Sequence, residues 1–273
     1  MVVFPNAKIN LGLHVTGKRS DGYHNIETVF YPVPLWDALE IIAGNSSPNK
    51  ISLTVTGNES LSGNDNLCVK AYELLNRDFK IPPVKAHLHK IIPAGAGLGG
   101  GSADAAFMLK LLNNTFGLKL DNDVLKKYAL ELGSDCPFFI EGKSVYATGR
   151  GEITEPAELS LKGYFICIVK PPVSVSTVEA YKMVKPQKPQ LALSSAIREP
   201  VVKWKDLLIN DFEKEVFKKY PVILTVKEKL YDAGAMFALM SGSGSAVYGI
   251  FNREINLDGA FDSSFYISTG KLN

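Results

Sequence analysis

The stretch that decides the fold of this 273-residue chain is Pro93-Ala-Gly-Ala-Gly-Leu-Gly-Gly-Gly-Ser-Ala-Asp-Ala-Ala106. Its glycines are followed by alanines, which are strong helix formers. Glycine has no Cβ, so the backbone N–H groups of such a run can approach a ligand closely. At a helix N-terminus, those N–H groups and the helix dipole favour a phosphate. We therefore expect a phosphate-binding loop that leads into a helix, with Ser102 as the N-cap.

Well-known glycine-rich loops fit this stretch poorly. Gly95, Gly97 and Gly100 match G-x-G-x-x-G, but a dinucleotide-binding unit needs a further strand, and the next predicted element is a helix beginning at Asp121. A P-loop would have a lysine where Gly101 stands. A protein-kinase loop requires H-R-D and D-F-G motifs, which this sequence lacks. A flexible linker would not run directly into an apolar helix.

Composition limits the classes of function. The chain has 30 Lys+Arg, 28 Asp+Glu and 46% hydrophobic residues, so its balanced charge does not suggest a nucleic-acid binder. No segment resembles a signal peptide or an apolar membrane span of ~18 residues, which predicts a cytoplasmic protein without a membrane partner. Cys68, Cys136 and Cys167 form no C-x-x-C motif and are interpreted as free thiols, ahead of a nucleophilic Cys136. His87 and His89 lack a third ligand, so no zinc site is predicted.

Strands and helices alternate irregularly, which favours an α+β fold over a doubly wound sheet. Strict alternation predicts a half-buried strand over 8–15, with Lys8, Asn10 and His14 on its polar face. The segments predicted as strands are 26–33, 38–43, 51–56, 85–92, 164–169, 236–240 and 246–251. The segments predicted as helices are 67–79, the stretch after the glycines, 121–132, 177–184, 211–219 and 222–233.

Two residues are candidates for chemistry beside the phosphate loop. Phosphoryl transfer needs charge neutralisation and a group that orients and deprotonates the acceptor hydroxyl. Lys8 lies on the polar face of an otherwise apolar strand. Asp135 lies in a turn between a predicted helix and an apolar segment, where it would be either a cap or a partly buried acid. A purely structural role is open for each residue.

Three motifs together resemble those of the GHMP kinase superfamily, in order along the chain. They are Pro5-Asn-Ala-Lys-Ile-Asn-Leu-Gly-Leu13, the segment from Pro93 to Ala103, and Ser241-Gly-Ser-Gly-Ser-Ala246. Finer motifs resemble the branch that phosphorylates 4-diphosphocytidyl-2-C-methyl-D-erythritol in the non-mevalonate (MEP) isoprenoid precursor pathway. These are Arg19-Ser-Asp-Gly-Tyr-His24, Gly133-Ser-Asp-Cys-Pro-Phe138 and Val173-Ser-Val-Ser-Thr177. The likeness spans roughly residues 5–251 and weakens over 185–235, for which no role is predicted.

The resemblance implies a two-lobed fold, with an N-terminal α/β lobe over 1–155 and a C-terminal ferredoxin-like lobe over 156–273. It implies Asp135 as the general base on the C2 hydroxyl of the acceptor, assisted by Lys8. ATP is implied as cofactor, with Mg²⁺ and the candidate ligands Ser102 and Asp104, the metal ligand set being otherwise open. The expected partner is a small-molecule substrate, with no nucleic acid, and the chain is expected to be a monomer or a weak homodimer.

The same resemblance implies two sets of binding residues. The ATP phosphates would lie on the glycine-rich segment, with two further residues near the adenine: Pro93, Ala94, Gly95, Ala96, Gly97, Leu98, Gly99, Gly100, Gly101, Ser102, Ala103, and Asn66 and Leu67. The acceptor would be bound by Asn10, Tyr23, His24, Phe30, Thr177 and Tyr181. Tyr23 and Tyr181 would stack on the cytosine, since nucleobases stack on aromatic faces.

Two other functions compete with this one. Another GHMP kinase would act on homoserine or mevalonate. Neither acceptor carries a nucleobase, so this function does not explain the segment Arg19 to His24 or Tyr181. A non-catalytic nucleotide sensor would not need both Lys8 and Asp135. Turnover of ATP with the cytidylyl substrate distinguishes the three functions.

Overall fold

A computed structural model describes residues 1–44, 50–189, 191–257 and 259–273. Its backbone contacts divide the chain into two compact units that are interleaved along the sequence. Unit 1 comprises Met1–Ala7, Leu35–Ile92 and Gly99–Lys143, and unit 2 comprises Lys8–Pro34, Pro93–Leu98 and Ser144–Asn273. The division of the chain near residue 155 stays a prediction.

The strands and helices follow the chain in an irregular order. The strands are β1 (Val2–Val3), β2 (Asn6–Lys18), β3 (His24–Trp36), β4 (Ala38–Ala43), β5 (Ile51–Thr56), β6 (Val84–His89), β7 (Val145–Thr148), β8 (Ile153–Pro156), β9 (Phe165–Lys170), β10 (Phe237–Met240), β11 (Val247–Phe251) and β12 (Tyr266–Lys271). The helices are α1 (Leu67–Phe79), α2 (Gly100–Thr115), α3 (Asn122–Leu132), α4 (Phe138–Glu141), α5 (Thr177–Met183), α6 (Leu193–Ala196), α7 (Trp204–Leu207), α8 (Glu213–Lys219) and α9 (Pro221–Asp232).

Unit 1 consists of a mixed sheet with helices packed against it. The strand order is β1-β4-β6-β5, in which β5 and β6 are parallel and the other pairs antiparallel. Helix α1 buries Cys68, Ala71, Tyr72 and Leu75, the spacing of one apolar helix face. Helices α1, α2 and α3 pack on one another, and α1 and α2 also contact β5 and β4. The side chain of Asp121 caps α3, as the sequence predicts.

Unit 2 contains two four-stranded sheets. One has the order β2-β3-β7-β8, and the other is fully antiparallel with the order β10-β11-β9-β12. Helix α9 packs on β10 and β11 and contacts α8, which contacts α5. The irregular mixture of helices and sheets confirms the α+β fold class.

Some details differ from the sequence-based expectation. The polar face of β2 is buried as deeply as its apolar face: Lys8 is 3% exposed, Asn10 1% and His14 5%. These polar groups tolerate burial because they are hydrogen-bonded or paired, as described below. The strands β1, β7, β8 and β12 and the short helices α4, α6 and α7 were not predicted, since they are too short for a clear periodicity or, like β12, lie beyond the motifs.

The three cysteines are buried free thiols, as predicted. Burial raises the pKa of Cys136 and Cys167 to about 12, and that of Cys68 also lies well above its ordinary value. Because the reactive species is the thiolate, Cys136 is not equipped to act as a nucleophile. Within the described ranges, no helix is both long and apolar enough to cross a membrane.

Candidate active site

The glycine-rich stretch enters helix α2 through left-handed backbone at Gly95 (φ +62°), Gly97 (φ +77°) and Gly99 (φ +71°). Side-chain-bearing residues rarely adopt this conformation, which explains the glycines. Gly99 is the N-cap of α2, so the assignment of Ser102 as N-cap is wrong. With Gly99 at the cap, α2 begins three residues earlier than expected, at Gly100, which places Ser102 in its first turn. There the Ser102 side chain lies beside the Cys136 thiol.

Within unit 2, the stretch packs against the loop 241–246 that joins β10 and β11. The Ser241 hydroxyl donates to the carbonyl oxygen of Gly97 (2.8 Å), and the Ala246 N–H donates to that of Ala96 (3.1 Å). A Cβ on Gly97 would lie 1.9 Å from the Ser241 carbonyl oxygen. Only glycine therefore permits this approach of one backbone to the other.

Within unit 1, a buried charged cluster joins the strand before the glycines to the helix after them. The ammonium group of Lys90 binds the carboxylates of Asp37 and Asp104, the latter at 2.6 Å. The second oxygen of Asp37 accepts the N–H groups of Ile91 (2.5 Å) and Ile92 (2.8 Å). Burial and the nearby Asp37 carboxylate raise the pKa of Asp104 to about 7, although Lys90 opposes this shift.

Sequence reasoning missed this cluster, although a signal was present. Lys90 continues the buried face of Val84, Ala86 and Leu88 at a spacing of two residues. A lysine in such a row predicts a buried ion pair, because an unpaired buried charge is very costly.

The two predicted adenine residues lie at the beginning of α1, in the same unit as the start of α2. Asn66 caps α1 by accepting the Cys68 N–H (2.8 Å), and its amide nitrogen donates to the Leu61 carbonyl (3.0 Å). A Cβ on Gly101 would come within 3.9 Å of the Leu67 side chain. The first turns of α1 and α2 are therefore neighbours in unit 1.

Lys8 belongs to a buried polar network on β2. Its ammonium donates to Asn10 Oδ1 (2.6 Å) and lies 4.7 Å from the centre of the Phe30 ring. The Asn10 amide nitrogen donates to the Thr28 hydroxyl (2.9 Å), which donates to the Gly12 carbonyl (2.6 Å). The network holds the Lys8 ammonium in one orientation. Asn10 is 1% exposed, and its side chain makes hydrogen bonds within the protein.

Asp135 lies in unit 1, in the turn between α3 and α4. Gly133 ends α3, and its carbonyl accepts the N–H of Cys136 (3.1 Å), which closes the turn. Asp135 is partly buried, and the residues after it form the buried part of α4. The turn fixes the backbone that carries the carboxylate.

The aromatic residues predicted to bind a nucleobase lie in unit 2. His24 stacks on Tyr181 with ring centres 4.9 Å apart and an interplanar angle of 20°, and Phe212 meets Tyr181 edge-on. Tyr23 is 57% exposed, with the Arg150 guanidinium 5.0 Å from its ring centre. At the start of α5, the Thr177 hydroxyl is hydrogen-bonded to that of Ser243 (3.1 Å). Burial lowers the pKa of His24, and the positive charge of Lys18 adds to the shift.

Asp104, near the start of α2, is poorly suited to bind magnesium. Magnesium binds open carboxylates and phosphate oxygens and keeps several waters. Asp104 is buried, and its only bound oxygen faces the Lys90 ammonium, which repels a cation. Among the described residues, no group of three or more His, Cys, Asp or Glu side chains could hold a metal ion.

Comparison with known proteins identifies the family. The "GHMP kinases N terminal domain" model matches residues 66–143, and the "GHMP kinases C terminal" model matches residues 195–262. A protein of Bacteroides fragilis named 4-diphosphocytidyl-2-C-methyl-D-erythritol kinase is 54% identical over 272 residues, covering 98% of this chain and 99% of that protein. The chain belongs to this kinase family.

Further relatives agree with this membership. The kinase of the same name from Bacteroides thetaiotaomicron is 57% identical over 256 residues, covering 93% of each chain. A crystal structure of 4-(cytidine 5'-diphospho)-2C-methyl-D-erythritol kinase has a TM-score of 0.78 at 34% identity, covering 92% of this chain and 90% of that one. A crystal structure of the mevalonate kinase of Methanococcus jannaschii has a TM-score of 0.72 and covers 100% of this chain and 98% of that one. Its identity is only 15%, so this likeness shows the fold alone. As a GHMP kinase of this family, the chain is an ATP-using phosphotransferase of the non-mevalonate isoprenoid pathway.

Proposed function

We propose that the chain transfers the γ-phosphoryl group of ATP to the C2 hydroxyl of 4-diphosphocytidyl-2-C-methyl-D-erythritol. The observation that carries the proposal is the 54% identity, over nearly the whole of both chains, to a kinase named for this acceptor. The chain has the two residues to which the proposal assigns the chemistry, the oriented, buried Lys8 and Asp135 in a fixed turn. The glycine-rich stretch supplies backbone N–H groups at the N-terminus of a long helix, where phosphates bind.

Asp135 accepts the proton of the C2 hydroxyl as general base in this proposal. The hydroxyl oxygen forms its new bond to the γ-phosphorus while the bond from that phosphorus to the β-γ bridging oxygen breaks and ADP leaves. Lys8 stabilises the charge that develops on the attacking oxygen. Its hydrogen bond to Asn10 and its contact with Phe30 orient the ammonium before substrate binds, so little reorganisation is needed.

The phosphates of ATP bind to the glycine-rich stretch, and the adenine lies beside Asn66 and Leu67. The residues that hold the phosphates are Pro93, Ala94, Gly95, Ala96, Gly97, Leu98, Gly99, Gly100, Gly101, Ser102 and Ala103. Mg²⁺ is part of the proposal as a companion of the ATP phosphates. It neutralises phosphate charge when bound. Asp104 is withdrawn as a candidate ligand because the Lys90 ammonium occupies its carboxylate, and Ser102 stays the other candidate.

The acceptor's cytosine stacks between Tyr23 and Tyr181. The two rings of the His24–Tyr181 stack are 4.9 Å apart, which leaves no room for a base between them. The base therefore displaces His24 from the face of Tyr181, and His24 then becomes available to hydrogen-bond the edge of the base. Asn10, Phe30 and Thr177 complete the proposed acceptor site, Asn10 and Phe30 through their contacts with Lys8.

Replacement of Asp135 by asparagine tests the mechanism. Asp135→Asn keeps the shape of the side chain but cannot take the proton, so kcat should fall by ~10²–10⁴ with both KM values nearly unchanged. Asp123→Asn is the matched control, because Asp123 is an exposed aspartate on neighbouring α3, and its kcat should stay within twofold. A kcat for Asp135→Asn within a few-fold of the parent removes Asp135 from the mechanism.

The acceptor itself is tested by Tyr181→Ala and by a truncated compound. Base–aromatic stacking is worth ~1–3 kcal/mol, so the KM for the cytidylyl acceptor should rise about tenfold or more while that for ATP holds. Methylerythritol phosphate, which lacks the cytidylyl group, should be a poor acceptor. Equal turnover of the truncated and complete acceptors would contradict the proposed specificity.

A further inference from the structure

The segment Leu208–Phe212 lies outside every motif that pointed to function, yet it is attached to the middle of β2. Asn210 forms an isolated parallel bridge with Leu13. The Leu13 N–H donates to the Ile209 carbonyl and the Asp211 N–H donates to the Leu13 carbonyl, both at 2.9 Å. The same strand carries Lys8 and Asn10. The segment therefore has a fixed place relative to that polar network within unit 2.

The side chain of Asn210 is 3% exposed and uses its full donor capacity. Its amide nitrogen donates to the carbonyl oxygens of Met240 (2.8 Å) and Gly242 (2.8 Å), and its oxygen accepts the Phe212 N–H (3.0 Å). This site requires two donors and one acceptor on a short side chain. Among the natural residues of this size, only asparagine provides them.

The two carbonyls that Asn210 binds flank Ser241, the residue on which the glycine-rich stretch rests. Ser241 donates through its hydroxyl to the Gly97 carbonyl and lies within 3.3 Å of the Asn10 N–H. Gly97 approaches the Ser241 backbone so closely that a Cβ would not fit. A shift of the backbone between Met240 and Gly242 would therefore move the surface that positions residues 96 and 97.

We propose that Asn210 is a positioning residue for ATP: it fixes the backbone around Ser241, and through Ser241 it sets the conformation of the glycine-rich stretch. Because Asn210 is buried, it acts through Ser241 and Gly97 and not by contact with the nucleotide. The inference rests on the proposed placement of the ATP phosphates on residues 93–103. It predicts a loss of ATP affinity that exceeds what the loss of stability explains.

The experiment compares two buried asparagines. Asn113, in α2 of unit 1, is 9% exposed and also uses both ends of its amide, donating to the Leu120 carbonyl (3.0 Å) and accepting the Leu120 N–H (3.0 Å). It lies near the C-terminal end of α2, far along the helix from the glycines. Asn210→Asp and Asn113→Asp each replace the amide group by a carboxyl group of the same shape. Both should lower the thermal midpoint.

Calorimetric titration with the non-hydrolysable analogue AMP-PNP, without acceptor, measures the consequence. Asn210→Asp should weaken binding at least tenfold, whereas Asn113→Asp should stay within twofold of the parent. A carboxyl facing two carbonyl oxygens has a raised pKa and regains one donor on protonation, so Asn210→Asp should recover part of its affinity at pH 5.5. In steady-state assays its KM for ATP should rise while that for the acceptor stays within about threefold.

If Asn210→Asp binds the analogue as tightly as Asn113→Asp, the positioning role is wrong and Asn210 is only structural. If Asn210→Asp does not fold, Asn210→Ala replaces it, since alanine removes both donors without adding charge, and it should weaken binding about threefold or more. Unchanged affinity in Asn210→Ala overturns the inference equally. If the parent chain fails to bind the analogue, or if Gly99→Val and Gly100→Val bind as the parent does, the proposed placement of ATP fails instead.

Discussion

The glycine-rich stretch is supported by two regions of opposite chemistry. In unit 1, residues on both sides of the glycines are joined by charges, through the buried Asp37–Lys90–Asp104 cluster. In unit 2, residues 96 and 97 rest on neutral hydrogen bonds from Ser241 and Ala246, and Asn210 holds the backbone around Ser241. The charged region titrates with pH, and the neutral one does not. The two supports of one loop therefore respond to different perturbations.

The comparison separates two requirements. The ion cluster must be complete to stabilise the fold, whereas the hydrogen bonds of the amide must keep a fixed geometry. A buried ion cluster is strongly destabilised when one partner is removed, but it tolerates small shifts because Coulomb attraction falls slowly with distance. A saturated amide tolerates neither a shift nor an isosteric replacement, since its donors and acceptor have fixed directions. We expect variants in the charged region to affect stability first and variants in the neutral region to affect ATP binding first.

The largest effect on ATP binding is expected at Gly97. Gly97→Ala places a Cβ against the Ser241 carbonyl and forces a left-handed backbone on alanine, so affinity for AMP-PNP should fall by more than about 100-fold, ~3 kcal/mol of binding free energy. Gly95→Ala is the control, because Gly95 has a similar φ but open space around its Cα. Circular dichroism checks that both variants fold. Equal losses of affinity in the two variants would mean that the contact with Ser241 is unimportant.

Lys90→Met should be the most destabilising change in the charged region. It leaves two buried carboxylates without their cation, which typically costs ~3–5 kcal/mol of unfolding free energy. Urea titration measures this loss. The double variant Lys90→Met/Asp104→Asn should recover part of it, because one unpaired charge is then removed. A loss below about 1 kcal/mol for Lys90→Met would contradict the burial of the cluster.

Asp104→Asn should change how stability depends on pH. The folded-state pKa of Asp104 is about 7 and its ordinary value is 3.8, so its contribution to stability is fully present below pH 4 and is lost as pH rises towards 7. Asparagine does not titrate, so the stability of the variant does not show this loss as pH rises. Its unfolding free energy relative to the parent should therefore increase by at least about 1 kcal/mol between pH 5 and pH 8. A difference that stays constant across this range would show that Asp104 does not titrate there.

The smallest effect is expected for an ion pair on the surface. Lys203 and Glu199 lie 2.8 Å apart with 61% and 44% of their side chains exposed. Exposed pairs of this kind contribute little because water and salt screen them. Lys203→Ala should shift the thermal midpoint by less than about 2 °C and leave AMP-PNP affinity unchanged. A shift as large as that of Lys90→Met would remove the contrast between buried and exposed charges.

Much of the fold could be predicted from the sequence, for identifiable reasons. Helix α1 shows its apolar spacing between Cys68 and Leu75, and α3 is bounded by the cap Asp121 and by Gly133. The segments β4 and β5 are short apolar or alternating runs between turns, and their observed bounds match the predicted ones. Local signals of this kind need no knowledge of the rest of the chain.

What the sequence did not reveal depends on partners that are distant along the chain. The sequence of β2 predicts an exposed polar face because the partners of its polar side chains are distant along the chain. Thr28, the partner of Asn10, lies 18 residues away, and Asp211, the partner of His14, lies 197 residues away. Asn210 has no signal of its own, since its role depends on the positions of Met240 and Gly242. Among the proposed site residues, the glycines and Lys8 stand out by local pattern, whereas the roles proposed for Asp135 and Tyr181 come from family motifs.

The buried thiols give each unit its own reporter of local opening. Cys68 and Cys136 belong to unit 1 and Cys167 to unit 2, and all are buried with raised pKa values. An alkylating reagent attacks the thiolate, so each cysteine is modified only when its surroundings unfold. Mass spectrometry of alkylated peptides therefore times the exposure of each unit separately in one sample. A nucleotide that rigidifies one unit more than the other would selectively slow the alkylation of the cysteines in that unit.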